Sequence, residues 1–82
     1  MTMMKEIYDS GPLMCRVFVE EETGKHFIEV MCGGIAMYEV TVPMTEKEVE
    51  DFKRDPDRLG QVVREITLDP AKAVKERGGK GA

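Results

Sequence analysis

Residues 14–42 read MCRVFVEEETGKHFIEVMCGGIAMYEVTV, three runs of alternating apolar residues divided by two glycine-bearing turns. Alternation with a period of two sends successive side chains to opposite faces of a strand. The turn chemistry lies in Glu22-Thr-Gly-Lys25 and in Gly33-Gly34, a two-residue hairpin signal. A three-stranded antiparallel meander is therefore expected, with strands over residues 13–21, 26–32 and 35–42. Pro43 ends the third by lacking a backbone donor. A weaker alternation over residues 4–8 leaves room for a fourth, N-terminal edge strand before the turn residues Asp9-Ser-Gly-Pro12.

The alternation also constrains register. Pairing Glu22 with Lys25 sets Val19 against Ile28, Val17 against Val30 and Cys15 against Cys32. A three-residue loop with Gly24 bulged would set Val17 against Glu29 and mix the faces. A buried face specifies register strongly, so the first pairing is expected. Closing Gly33-Gly34 as a two-residue turn then puts Cys32 opposite Ile35 and Val30 opposite Met37. One face holds Cys15, Val17, Val19, Ile28, Val30, Cys32, Ile35 and Met37. The other holds Arg16, Phe18, Glu20, Phe27, Glu29, Met31, Tyr38, Val40 and Val42.

Past Pro43 the period changes. Thr45 with Glu48 three residues on has the spacing of a capping box, and Met44 with Val49 that of a hydrophobic staple. This predicts a helix to about Arg54, anchored by Val49 and Phe52. Asp55-Pro56 opens a second helix, with Asp as cap and Pro at the first position. Leu59, Val62, Val63 and Ile66 follow as its apolar stripe. Asp69-Pro70 repeats the start signal for a short third helix over residues 71–77, with Ala73 and Val74 to bury and Gly78 to cap it.

The fold class is thus α+β: a three-stranded antiparallel meander, with room for the extra edge strand, followed by two to three short helices packed on one sheet face. Residues 1–77 form a single domain, and 78–82 are expected to be a disordered tail. At 82 residues the core is small, and a domain of this size gains only a few kcal/mol of net stability without staples or partners. Self-association is an option from the outset.

A formal net charge of −4 argues against an extended nucleic-acid footprint, which needs a basic patch or stripe. The basic end, Lys72, Lys75, Arg77 and Lys80, reads as a cationic helix terminus set against the helix dipole. No apolar run of about 18 residues is present, so no membrane span is expected. Nor does an apolar segment follow Met1-Thr-Met-Met-Lys in the manner of a leader. A cytoplasmic protein is the simplest expectation.

Chemistry-bearing motifs are few. The two cysteines fall short of a structural zinc site. Their expected pairing is at the short end of disulfide geometry, so they read as two free, buried thiols. His26, the only histidine, lies about 20 Å along its strand from Cys32 at ~3.3 Å per residue, too far for a Cys–His nucleophile. Glu20-Glu21-Glu22 is an acidic hairpin tip without further convergent oxygens for calcium or magnesium. Gly33-Gly34 precedes a strand and lacks the phosphate-loop pattern. No cofactor, metal or catalytic residue is assigned.

What remains is the second sheet face, where Arg16, Phe18, Phe27, Met31, Tyr38 and Val40 are the candidate protein-binding residues. Aromatic residues, Met and Arg are the types enriched in interface cores. The expected function is a small non-enzymatic protein-binding module of the inhibitor, immunity or accessory kind. The alternative is a homo-oligomeric ligand-binding or enzymatic subunit with its site at the subunit interface.

Overall fold

The computed structural model describes residues 3–32, 38–78 and 80–81. Its sheet is an antiparallel meander in the order β1 (Met4–Ser10), β2 (Cys15–Glu20), β3 (His26–Cys32), β4 (Tyr38–Pro43), with β5 (Lys80–Gly81) on the far side of β4. Between β4 and β5 the chain forms α1 (Glu46–Arg54), a 3-10 turn (Pro56–Arg58), α2 (Leu59–Leu68) and α3 (Pro70–Arg77). The expected edge strand is present as β1. A bulge between Glu6 and Tyr8 shifts its register on β2; such a bulge on an edge strand discourages pairing with another chain. The tail, expected to be disordered, contributes Lys80 and Gly81 opposite Thr41 and Val40.

The register differs from the expectation at both hairpins. Between β2 and β3 the loop has four residues, closed by Gly24 N–H donating to the Glu20 carbonyl (2.8 Å) and Glu20 N–H donating to Lys25 (2.8 Å). Gly24 adopts φ 73°, a left-handed conformation that costs glycine nothing sterically. The longer loop slides the strands by two residues. Val17 faces Ile28, Val19 faces His26, and Cys15 faces Val30 where Cys32 was expected. A shift of two preserves which side chains share a face, so Cys15, Val17, Ile28, Val30 and Cys32 remain together and buried. Val19 is only half-buried.

At the second hairpin the outcome is different. Cys32 pairs with Tyr38 and Val30 with Val40, so residues 33–37 intervene where a two-residue turn was expected. The Gly33-Gly34 turn itself, with Ile35 and Met37, lies outside the described residues. An odd displacement turns the strand over. Tyr38, Val40 and Val42 therefore belong to the helix-covered face and not to the opposite one: Val40 is 1% and Val42 0% exposed, and Tyr38 packs against the core at its edge.

The helices form as their caps and stripes dictate. Thr45 accepts from the Glu48 N–H at 3.2 Å, and Glu48 accepts from the Thr45 N–H at 2.9 Å, completing the capping box. Asp55 and Asp69 cap the next two starts through Asp57 N–H and Lys72 N–H. Gly78, left-handed at φ 72°, ends α3. Phe52, Leu59, Val62, Ile66 and Ala73 pack on the sheet; Val49 and Val63 of the expected stripe are half-buried at its margins. Each fully buried aliphatic side chain contributes about 1.5–3 kcal/mol. Tyr8 makes an edge-on contact with Phe52 (centroids 5.3 Å, 70°), tying β1 to α1.

One tie has no counterpart in the sequence reading. Arg77, in the last turn of α3, donates to both carboxylate oxygens of Glu48 at 2.6 and 2.8 Å. The side chains are 19% and 15% exposed. The residue that caps α1 therefore also anchors the end of the chain's last helix.

Candidate functional site

Because the helices take one face of the sheet, the opposite face is the candidate site. β2 contributes Arg16, Phe18 and Glu20. β3 contributes Phe27, Glu29 and Met31, since each is one residue out of phase with buried Ile28 and Val30. The pairings Phe18 with Phe27 and Arg16 with Glu29 line these up across the strands. β1 adds Met4, Glu6 and Asp9 opposite Glu20, Phe18 and Arg16. β4 adds Glu39, Thr41 and Pro43 opposite Met31, Glu29 and Phe27. Of the six residues expected here, Arg16, Phe18, Phe27 and Met31 are brought together. Tyr38 and Val40 lie on the other side of the sheet.

Arg16 sits at the electrostatic centre. Its Nε donates to Glu29 Oε1 at 2.8 Å and its Nη2 to the same oxygen. Glu6 approaches at 3.3 Å and Glu39 at 3.9 Å. The guanidinium carbon lies 5.3 Å from the centroid of the Phe18 ring, in cation–π range. The hydrogen bond to Glu29, aided by the charges of Glu29, Glu6 and Glu39, outweighs desolvation and raises the pKa of Arg16. Arg16 is the cation among the described side chains of this face, against Glu6, Asp9, Glu20, Glu29 and Glu39.

Beside Arg16 the face opens into a cleft of about 270 Å³. Arg16 lines it together with Asp9, Glu29 and Glu39, so the carboxylates outnumber the cation, and Met14 and Met31 form its apolar wall. Met14 enters from the β1–β2 turn, with its N–H donating to Gly11 (3.1 Å) and its carbonyl accepting from Met31 N–H (3.1 Å). It holds φ at 54°, a left-handed conformation that costs a non-glycine residue roughly 1–2 kcal/mol. The strained backbone belongs to a residue that is 46% exposed. Neither Met14 nor Asp9 was singled out from sequence. Glu39 was hidden by the wrong parity of β4, and the strain at Met14 has no local signal.

Among the described residues, the remaining chemistry-bearing groups lie apart, with His26 at the opposite end of β3 from the two cysteines. Cys15 and Cys32 are free and buried. Burial raises the pKa of both thiols, assisted at Cys15 by the charge of Asp9, and a thiol so shifted is a poor nucleophile. His26 lines a broader cleft of about 590 Å³ between the β2–β3 loop and α1. There Lys25 and Lys53 stand against Glu46 and Glu50, so the formal charges balance. Among the described residues no group of three or more His, Cys, Asp or Glu is placed to hold a metal ion. Among them, too, no helix is long and apolar enough to cross a membrane.

Neither a protein-family model, nor a curated protein, nor a solved structure matches this chain.

Proposed function

We propose that the protein is a small non-enzymatic binding module that docks a larger protein through the open sheet face. The observation that carries this reading is the one-sided packing of the sheet. Phe18, Phe27 and Met31 stay half-buried on a face with no helix over it among the described residues. Arg16 is held in place beside them by Glu29. Aromatic residues, Met and Arg together make up the usual composition of an interface core. The cleft on this face, at about 270 Å³, falls below the ~300–1,000 Å³ typical of small-ligand sites, which favours a macromolecular occupant there. The two unpaired thiols fit a reducing compartment such as the cytoplasm.

The test is site-specific photocrosslinking in cells. A photoreactive residue at Phe18 is expected to give one dominant adduct with a second protein, and the same residue at Glu50, on α1, is expected to give none. Phe27→Glu should abolish the adduct without unfolding the module. Equal crosslinking from both positions would sink the proposal.

Self-association is the second reading. It is favoured by the clustering of exposed apolar side chains at and beside the β1 edge: Met3 is 67% exposed, Met4 42% and Ile7 41%. In that case light scattering of the purified protein would give a dimer mass, and an Ile7→Lys variant a monomer mass.

A further inference from the structure

We infer that the occupant of the open face is a basic segment, and that one of its Arg or Lys side chains enters the cleft beside Arg16. The inference rests on the docking reading above and adds the chemistry of the partner. It follows from charge complementarity together with shape. The face places Glu6, Asp9, Glu20, Glu29 and Glu39 around the apolar residues Met4, Phe18, Phe27 and Met31, with Arg16 as their described counter-charge. Glu29 is committed to Arg16. Glu39 reaches the same guanidinium only at 3.9 Å, with its side chain 53% exposed, so it is free to turn toward an incoming cation. Asp9 is exposed on the same rim.

The cleft suits a long cationic side chain better than a bare ion or a neutral group. Its walls combine the side chains of Met14 and Met31 with the carboxylates of Asp9 and Glu39, while the lining Arg16 is neutralised by Glu29. Lys and Arg carry an apolar stem under a charged head and bury the stem while the head stays at a polar margin. Polarizable Met side chains adapt to such a stem. Arg16 shows the arrangement from within the chain: its guanidinium lies over Phe18 and against carboxylates. A partner cation in the cleft would meet carboxylates in the same way, with Met14 and Met31 in place of the ring. The acidic surroundings also raise the on-rate for a basic partner.

The test uses defined peptides and the intact protein. Ac-Leu-Arg-Leu-Arg-Leu-NH2 and its citrulline analogue, which has the same shape without charge, are titrated against ¹⁵N-labelled protein at low salt. The arginine peptide is expected to shift the amides of Asp9, Met14, Arg16 and Glu39, with the citrulline peptide at least tenfold weaker. The double variant Asp9→Asn/Glu39→Gln changes two exposed residues and should keep its amide dispersion. Its affinity for the arginine peptide should fall about tenfold, the equivalent of about 1.4 kcal/mol for lost charge-assisted contacts. Met14→Gly, which keeps the turn and removes the thioether, should weaken the same peptide.

Equal binding of the two peptides at Phe18 and Phe27 would overturn the basic-segment inference and leave the docking face standing. Shifts confined to other surfaces, or absent, would overturn it as well. The crosslinking experiment judges the docking reading separately, since it makes no assumption about charge.

Discussion

Ile28 and Phe27 are neighbours on β3, yet one has no exposed surface and the other keeps part of its ring in water. The difference runs along the whole sheet. The face of Ile28 also holds Val17, Val30, Val40 and Val42, closed over by Leu59 and Ile66. The face of Phe27 interleaves aromatic rings with Arg16 and glutamates. The first is selected for filling space without polar atoms. The second is tolerable in water and retains features that a solvated face does not need. Introducing a carboxylate on each side of this one strand separates the two. Ile28→Asp buries an unpaired charge, at a cost of several kcal/mol, against a total stability of about 5–10 kcal/mol. It should abolish the cooperative melt. Phe27→Glu should cost about 1–2 kcal/mol and leave that melt intact. A cooperative melt from Ile28→Asp, or its loss from Phe27→Glu, would reverse the assignment of faces.

The same contrast holds between the two arginines. Arg77 makes a two-pronged contact with Glu48 and is 19% exposed; Arg16 is 40% exposed among its carboxylates. A charge-assisted hydrogen-bonded pair that is partly buried contributes more than an exposed one, which solvent and salt screen. Arg77→Ala is expected to cost about 1.5–3 kcal/mol in urea denaturation, with little change between low and high salt. Arg16→Ala should cost less and lose most of its effect in high salt. If Arg16→Ala proved the more damaging, the open face would be a structural support and not a docking surface.

These comparisons also show what was legible in the sequence. Alternation in β2 and β3 marked Ile28, Val30 and Val17 as one face, and this survived a loop two residues longer than expected because parity is indifferent to even shifts. The caps Thr45, Asp55 and Asp69 were legible because each is a local hydrogen bond between residues two or three apart. The parity of β4 was not, since it hangs on the number of residues between Cys32 and Tyr38. Gly33-Gly34 looked like the whole turn. That one odd displacement moved Tyr38 and Val40 off the candidate site and brought Glu39 onto it. Arg77 meeting Glu48 across 29 positions is a tertiary event with no periodic signature.

The Arg77 tie has a pH signature of its own. Burial alone would raise the pKa of Glu48, but the hydrogen bonds from Arg77 and from Thr45 and the charge of Arg77 outweigh it, leaving the carboxyl below its ordinary 4.5. The unfolded chain then binds that proton more readily than the folded one, so stability rises with pH through this range. The contribution is fully present above about pH 4.5 and is lost as pH falls through the folded value. In Arg77→Ala the desolvation is no longer opposed by the guanidinium. The acid limb of its stability curve should be flatter than the wild type's, with the two curves converging as pH falls through the folded value of Glu48. Parallel curves from pH 7 to 3 would mean that Glu48 and Arg77 are not coupled in solution.

The smallest effect is expected at Met14, where the two faces diverge in what strain accomplishes. On the helix side the left-handed residue is Gly78, which ends α3 without strain. On the open side the left-handed residue is Met14, where glycine would serve the backbone better. Replacing it with glycine relieves roughly 1–2 kcal/mol of backbone strain. The greater freedom of glycine in the unfolded chain returns about 0.5–1 kcal/mol of that. A net gain on the order of 0.5 kcal/mol corresponds to a rise in Tm of about 2–4 °C for a domain this size. Met14→Gly should therefore melt slightly higher than the wild type while binding the arginine peptide more weakly, since a stabilising change at a strained site commonly carries a functional cost. A Tm lowered by several degrees would show instead that the Met14 side chain is held by packing, and its strain would then need no functional account.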